Sequence, residues 1–144
     1  VYLVDTNVIS AGAPSTAPEH SKVVAWMEQN SDRLFLSVVT IAEIESGIAK
    51  AGREGALRRA ARLAEWLETV LHIYAARVLT LDIPAARLAG RLSDLARSRG
   101  QNPGFADLAI AATAQSRGFV VLTRNVRHFA AVNVLAHNPF AGLP

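Results

Sequence analysis

The sequence predicts an α/β fold, a mainly parallel central sheet of four to five strands with helices on both faces. Three observations lead there. Short β-rich apolar runs alternate with longer stretches of helical periodicity along nearly the whole chain. Connections of that kind imply right-handed helical crossovers between parallel strands. The 144 residues, 51% hydrophobic and 19% charged, suffice for one buried core, and no repeat, low-complexity tract or linker divides them. A single domain over 1–144 is expected.

Each element has a local signal. Residues 2–4 form a short apolar run that stops at Asp5, a buried strand ending in a turn. Ser15 or Thr16, with Pro18 in the first turn, opens a helix through about residue 30. Residues 33–39 (RLFLSVV) read as a second strand, and Thr40 starts a helix that Gly52 stops. From Glu54 to about residue 74, Leu57, Ala60, Leu63, Ala64, Leu67, Val70 and Leu71 keep the spacing of an amphipathic helix. A third strand covers 77–81. Asp82 before Pro84 caps a helix to about residue 99, and the run from Gly100 to Gly104 breaks the chain. An Ala-rich helix over 105–117 ends at Gly118, followed by strands at 119–122 and 132–135.

Composition narrows the chemistry. Without cysteine there is neither a disulfide nor a thiolate metal site, and the four His at 20, 72, 128 and 137 are too scattered for a zinc cluster. A metal here has to be held by oxygen. No apolar run reaches the roughly 18 residues of a membrane span, and the opening VYLVDTN lacks a signal core, so a cytoplasmic location is expected. Thirteen of the fifteen basic residues are Arg. Residues 53–62 and 87–99 each carry +3, which leaves −3 on the rest. Arg-rich faces around an acidic remainder suit a protein that grips phosphate around an acidic metal site; the plainer reading is two solvated helix faces.

Three carboxylates fall at element boundaries: Asp5 after the first strand, Glu43 one turn into the helix after the second, and Asp107 in the first turn of the last long helix. Converging in one cleft, they would repel one another and demand a cation, and Mg²⁺ prefers hard oxygen ligands. Such an ion beside Arg-rich faces suggests phosphodiester hydrolysis, with water activated and phosphate charge neutralised. Each acid also has a structural alternative. Asp5-Thr6-Asn7 can be a turn or cap, Thr40-x-x-Glu43 matches a capping box, and Asp107 can complement a helix dipole. Asp82 and Asp94 read as structural.

The segments VYLVDTNVIS, SVVTIAEIESGI, PGFADLAIAATAQSRGF and VVLTRNVRHF, in that order, resemble the PIN-domain family and within it the VapC/FitB-like toxins. The resemblance implies a three-layer Rossmann-like sheet and a Mg²⁺- or Mn²⁺-dependent endoribonuclease leaving a 5′-phosphate and a 3′-hydroxyl. It further implies a homodimer and a cognate antitoxin that occludes the site, with DNA entering only through that antitoxin. Asp5, Glu43 and Asp107 match the family's acidic positions. Asn125 stands at the fourth, where its missing charge puts a second metal in doubt and keeps a non-cleaving RNA- or partner-binding module open. Thr123 is expected to orient water, Asn7 to steady the Asp5 loop or serve as a plain cap, and Arg124 to contact RNA phosphate or an antitoxin carboxylate, or else to form an ordinary surface ion pair. His128 reads as an exposed loop residue. Phosphoaspartyl chemistry would need an Asp where Asn7 stands. The helix over 54–74, with Trp66, is expected to shape the antitoxin groove.

Overall fold

The computed structural model describes residues 1–14 and 17–144. Strands β1 (Tyr2–Val4), β2 (Leu34–Ser37), β3 (Val78–Leu79), β4 (Val120–Leu122) and β5 (Ala136–His137) form an all-parallel sheet in the order β3-β2-β1-β4-β5. The chain winds outward from β1 to β3 and then returns to the other side of β1. The reversal between β1 and β4 is a topological switch point, where a crevice opens at the carboxyl ends of the strands.

Alternation along the strands builds two cores. Leu3 and Val121 point to one face, against α5 (Ile83–Ser98), α6 (Phe105–Arg117) and α7 (Val126–Ala130), with Phe129 fully buried among them. Val4, Leu34, Leu36 and Leu122 point to the other. They meet α1 (Thr6–Ile9), α2 (Ser21–Gln29), α3 (Val38–Arg53) and α4 (Leu57–Tyr74). Alanines 109, 111, 112 and 114 let α6 lie close on the sheet and on α5. Among the described residues no helix is long and apolar enough to cross a membrane.

Several boundaries differ from the sequence reading. The first strand leads into α1 and a 3-10 turn at Ser10–Gly12, not into a simple turn. The helix start expected at Ser15 or Thr16 lies outside the described residues; beyond them a 3-10 turn at Pro18–His20 feeds α2. Helix α3 is capped by Ser37, whose hydroxyl accepts from the Val39 N–H at 3.0 Å, so the helix takes the last two residues of the expected strand. It runs through Gly52 to Arg53 and is stopped by Gly55. The N–H of Gly55 reaches the Gly52 carbonyl and that of Ala56 reaches the Ala51 carbonyl, a closure that places Gly55 at φ +86°. The apolar stripe of α4 narrows at its start, where Leu57 is 70% exposed. At the end of the chain, residues 132–135 are mostly a turn. Asn133 takes φ 59°, the Val132 and Val134 amides both bond the Phe129 carbonyl, and the paired strand begins at Ala136. Asp82 caps α5 as expected, accepting from the Ala85 N–H at 2.9 Å.

Candidate metal centre

The switch point gathers the residues that the sequence singled out. Asp5 follows β1, and its own N–H pairs with the Leu122 carbonyl of β4. Its side chain is 4% exposed, and three donors hold it. Oδ1 accepts from the Thr6 N–H at 2.8 Å, which makes Asp5 the cap of α1. Oδ2 accepts from the Thr123 hydroxyl at 2.7 Å and the Asn7 amide at 3.2 Å. Burial raises its pKa above the ordinary carboxyl value, against the pull of Thr123 and Thr6, and the Asp107 and Glu43 carboxylates each add repulsion. The three acids therefore share one field at the carboxyl edge of the sheet.

Glu43 stands exposed on α3, and its Oε1 accepts the Thr6 hydroxyl proton at 2.6 Å. The capping-box reading fails here. Ser37 is the cap, and the buried Thr40 lies 3.2 Å from the Thr6 hydroxyl. Asp107, in the first turn of α6, is paired with Nδ1 of His128 at 2.7 Å. His128 is thus no idle loop residue but a partner on α7, found only when α6 and α7 are packed together.

Thr123 has no exposed surface, and its single proton is committed to Asp5. Its oxygen also receives the Asn125 N–H at 3.0 Å. Its hydroxyl thus links the Asp5 carboxylate to the start of α7. Asn7 is not a plain cap. It bridges Asp5 Oδ2 to the Arg124 N–H, which its Oδ1 accepts at 3.1 Å. Asn125 stands exposed at the start of α7. Arg124 stacks over Phe140, its guanidinium carbon 3.9 Å from the ring centroid, and its Nη2 donates to His20 Nε2 at 2.8 Å. Neither His20 nor Phe140 carried a signal in the sequence, being 104 and 16 residues from Arg124.

The donor chemistry suits a hard divalent ion: all oxygen, three carboxylates, one of them buried and mutually repelled. The ring is not closed. Among the described residues no three of His, Cys, Asp and Glu stand grouped to hold an ion, because Glu43 turns to Thr6 and Asp107 to His128. Beside Glu43 runs a groove of about 530 Å³, walled by Ile44, Ile48, Leu63 and Trp66 with Arg59 among them.

A family model described as PIN domain matches residues 2–135. Among curated proteins the chain is similar to Toxin FitB of Neisseria gonorrhoeae, 34% identical over 142 residues, covering 97% of this chain and 99% of the relative. It is also similar to VapC ribonuclease Y4jK of Sinorhizobium fredii, 36% identical over 143 residues, covering 97% and 98%. Among solved structures, FitAcB from Neisseria gonorrhoeae aligns with a TM-score of 0.80 at 33% identity, covering 97% of this chain and 99% of that one. A FitAB structure bound to an IR36 DNA fragment gives the same TM-score at 32% identity, covering 97% and 96%.

Proposed function

The chain belongs to the PIN domain family, and from that premise we propose that it is the toxin of a toxin–antitoxin pair, a Mg²⁺- or Mn²⁺-dependent endoribonuclease. The observation that carries this reading is Asp5: a buried carboxylate at the switch point, held by three donors and repelled by Glu43 and Asp107. Its capping bond to the Thr6 N–H needs an oxygen but not a charge, since an amide oxygen caps a helix about as well.

In this reading Asp5, Glu43 and Asp107 hold the ion, with the Asn125 carboxamide beside them as a neutral oxygen donor. Bound there, a divalent cation supplies an activated water and offsets charge on the scissile phosphate. The chain's residues do the rest. Thr123 and Asn7 fix Asp5 so that its carboxylate keeps one orientation. Thr6 and His128 each hold one of the other two carboxylates, the exposed Glu43 and the half-buried Asp107, in a defined orientation. Asn125 cannot take up a proton, so it is no base. A single ion follows as the expected stoichiometry.

The groove beside Glu43 is where we place the C-terminal segment of an antitoxin. Its apolar walls suit the face of a short helix, and Arg59 suits an acidic residue on it. A segment lying there would cover Thr6 and Glu43 and so block the centre. Homodimerisation belongs to the same reading.

The test is cleavage of structured RNA with Mg²⁺, with EDTA, and with Asp5→Asn. Cleavage should vanish in both latter cases; full activity surviving either one defeats the mechanism. Asn125 sustains one rival, a PIN scaffold that binds RNA without cutting it, and uncleaved RNA held by the metal-free chain with no candidate substrate cut would favour that rival.

A further inference from the structure

Around Arg124, just past the end of β4, lies a cavity of about 670 Å³ lined also by Glu19, His20, Lys22, Asn138 and Phe140 with neighbouring residues of the C-terminal segment. We infer that Arg124 and Lys22 form a phosphodiester-binding subsite there, one that seats an RNA backbone phosphate beside the phosphate to be cleaved. The inference rests on the ribonuclease reading above and extends it from the scissile bond to the flanking strand.

Arg124 is the reason. It is exposed, and among the described residues no carboxylate lies within ion-pair distance of it, Glu19 in the same cavity included. An ordinary surface arginine swings freely; this one is held in three ways. Its backbone N–H is fixed by Asn7, its guanidinium stacks on Phe140, and its Nη2 is held by His20. An arginine has no acceptor, so His20 accepts through Nε2, and its other ring nitrogen is Nδ1. That nitrogen is buried and has no partner among the described residues. The ring is thus oriented for Arg124 at the expense of its own hydrogen bonding. Among the described residues Arg124 commits one of its five side-chain N–H donors, to His20, so an edge of the planar fork is left for an anion from outside.

Position decides which anion. The Asn7 side chain alone separates the Arg124 backbone N–H from the Asp5 carboxylate, so the Arg124 side chain starts out from beside the acidic centre and a strand laid across the switch point can run from one to the other. The cavity lining carries the cations Lys22 and Arg124 against the carboxylate of Glu19. A polyanion with regularly spaced charges can satisfy the cationic cavity and the acidic centre in succession, the latter through its ion. Contacts of this kind position a strand without reading its bases.

The test is binding without cleavage: fluorescence anisotropy of a short labelled single-stranded RNA of mixed sequence, in EDTA, between about 50 and 200 mM salt. Arg124→Gln should weaken binding about tenfold. It should also lower the slope of log affinity against log salt by about 0.7, one phosphate contact on a single strand. Lys22→Gln should lower the slope similarly, and Arg117→Gln, at the far end of α6, should not. His20→Ala should weaken binding in the native chain and have no further effect in Arg124→Gln. A native slope in Arg124→Gln, with the variant's thermal unfolding unchanged, overturns the subsite. So does loss of a labelled oligoglutamate with the RNA curve intact, which would mark a site for an acidic peptide. Because the assay contains no divalent ion, absence of cleavage leaves its result readable. Conversely, Mg²⁺-dependent cleavage beside an unaltered slope removes the subsite alone.

Discussion

Replacing Asp5 by Asn should make the metal-free protein more stable while abolishing cleavage. The Asp5 pKa is raised above the ordinary value of 3.8, first by burial and then by repulsion from Asp107 and Glu43. A group with a higher pKa folded than unfolded holds its proton more tightly in the folded state. Its contribution to stability is therefore complete below 3.8 and is lost as pH rises through the folded value. At neutral pH the ionised group opposes folding, and an amide there does not. The opposing effects are small. Asn caps a helix about as well as Asp, so the bond from the Thr6 N–H survives. The amide NH₂ would face Asn7 and forfeit the 3.2 Å bond, about 1 kcal/mol, and Thr123 would have to turn its hydroxyl. Removal of a buried, twice-repelled charge should exceed that and leave a net gain of about 1 kcal/mol, about 3 °C in Tm for a chain of this length. Thermal unfolding followed by circular dichroism in EDTA reads it directly. The gap between the two proteins should open above about pH 4 and persist at pH 7. Adding Mg²⁺ should then raise the Tm of the native chain alone and narrow or reverse the order. A variant less stable than the native chain at pH 7 refutes the electrostatic argument. Equal stabilisation of both by Mg²⁺ refutes the assignment of Asp5 to the ion.

Thr123→Val keeps the shape of a fully buried side chain but leaves Asp5 Oδ2 and the Asn125 N–H short of a partner. It should cost about 2 kcal/mol, seen as a lower urea midpoint, and an unchanged midpoint would show that these bonds are idle. Asn125→Asp restores a fourth carboxylate; calorimetric titration with Mn²⁺ should show tighter binding or a second ion, and an isotherm identical to the native one counts against Asn125 lying at the centre. Asp82→Ala removes the cap of α5, whose oxygen takes the Ala85 N–H at 2.9 Å, and should lower stability by about 1 kcal/mol. Asp82→Asn should recover most of it in the same unfolding assay.

The sequence by itself determined what depends on neighbours along the chain. Strand and helix alternation fixed the parallel sheet, because a period of two or of three to four residues is local information. Gly118, at φ +70°, and Asp82 ended and began helices where they were read to, since a left-handed turn and a capping oxygen act within a few residues. The order of the four motifs placed Asp5, Glu43 and Asp107 at strand and helix ends. The tertiary structure decided who meets whom. Gly55, not Gly52, closes α3 because only one of two nearby glycines is drawn into the left-handed turn. Thr40 and Glu43 looked like a capping box to each other, yet both side chains are turned to Thr6, more than thirty residues away. The same holds for His128 on Asp107 and for His20 and Phe140 around Arg124. These pairings arise where separate elements pack across the sheet, and no spacing along the chain records which side chain another element will bring within reach.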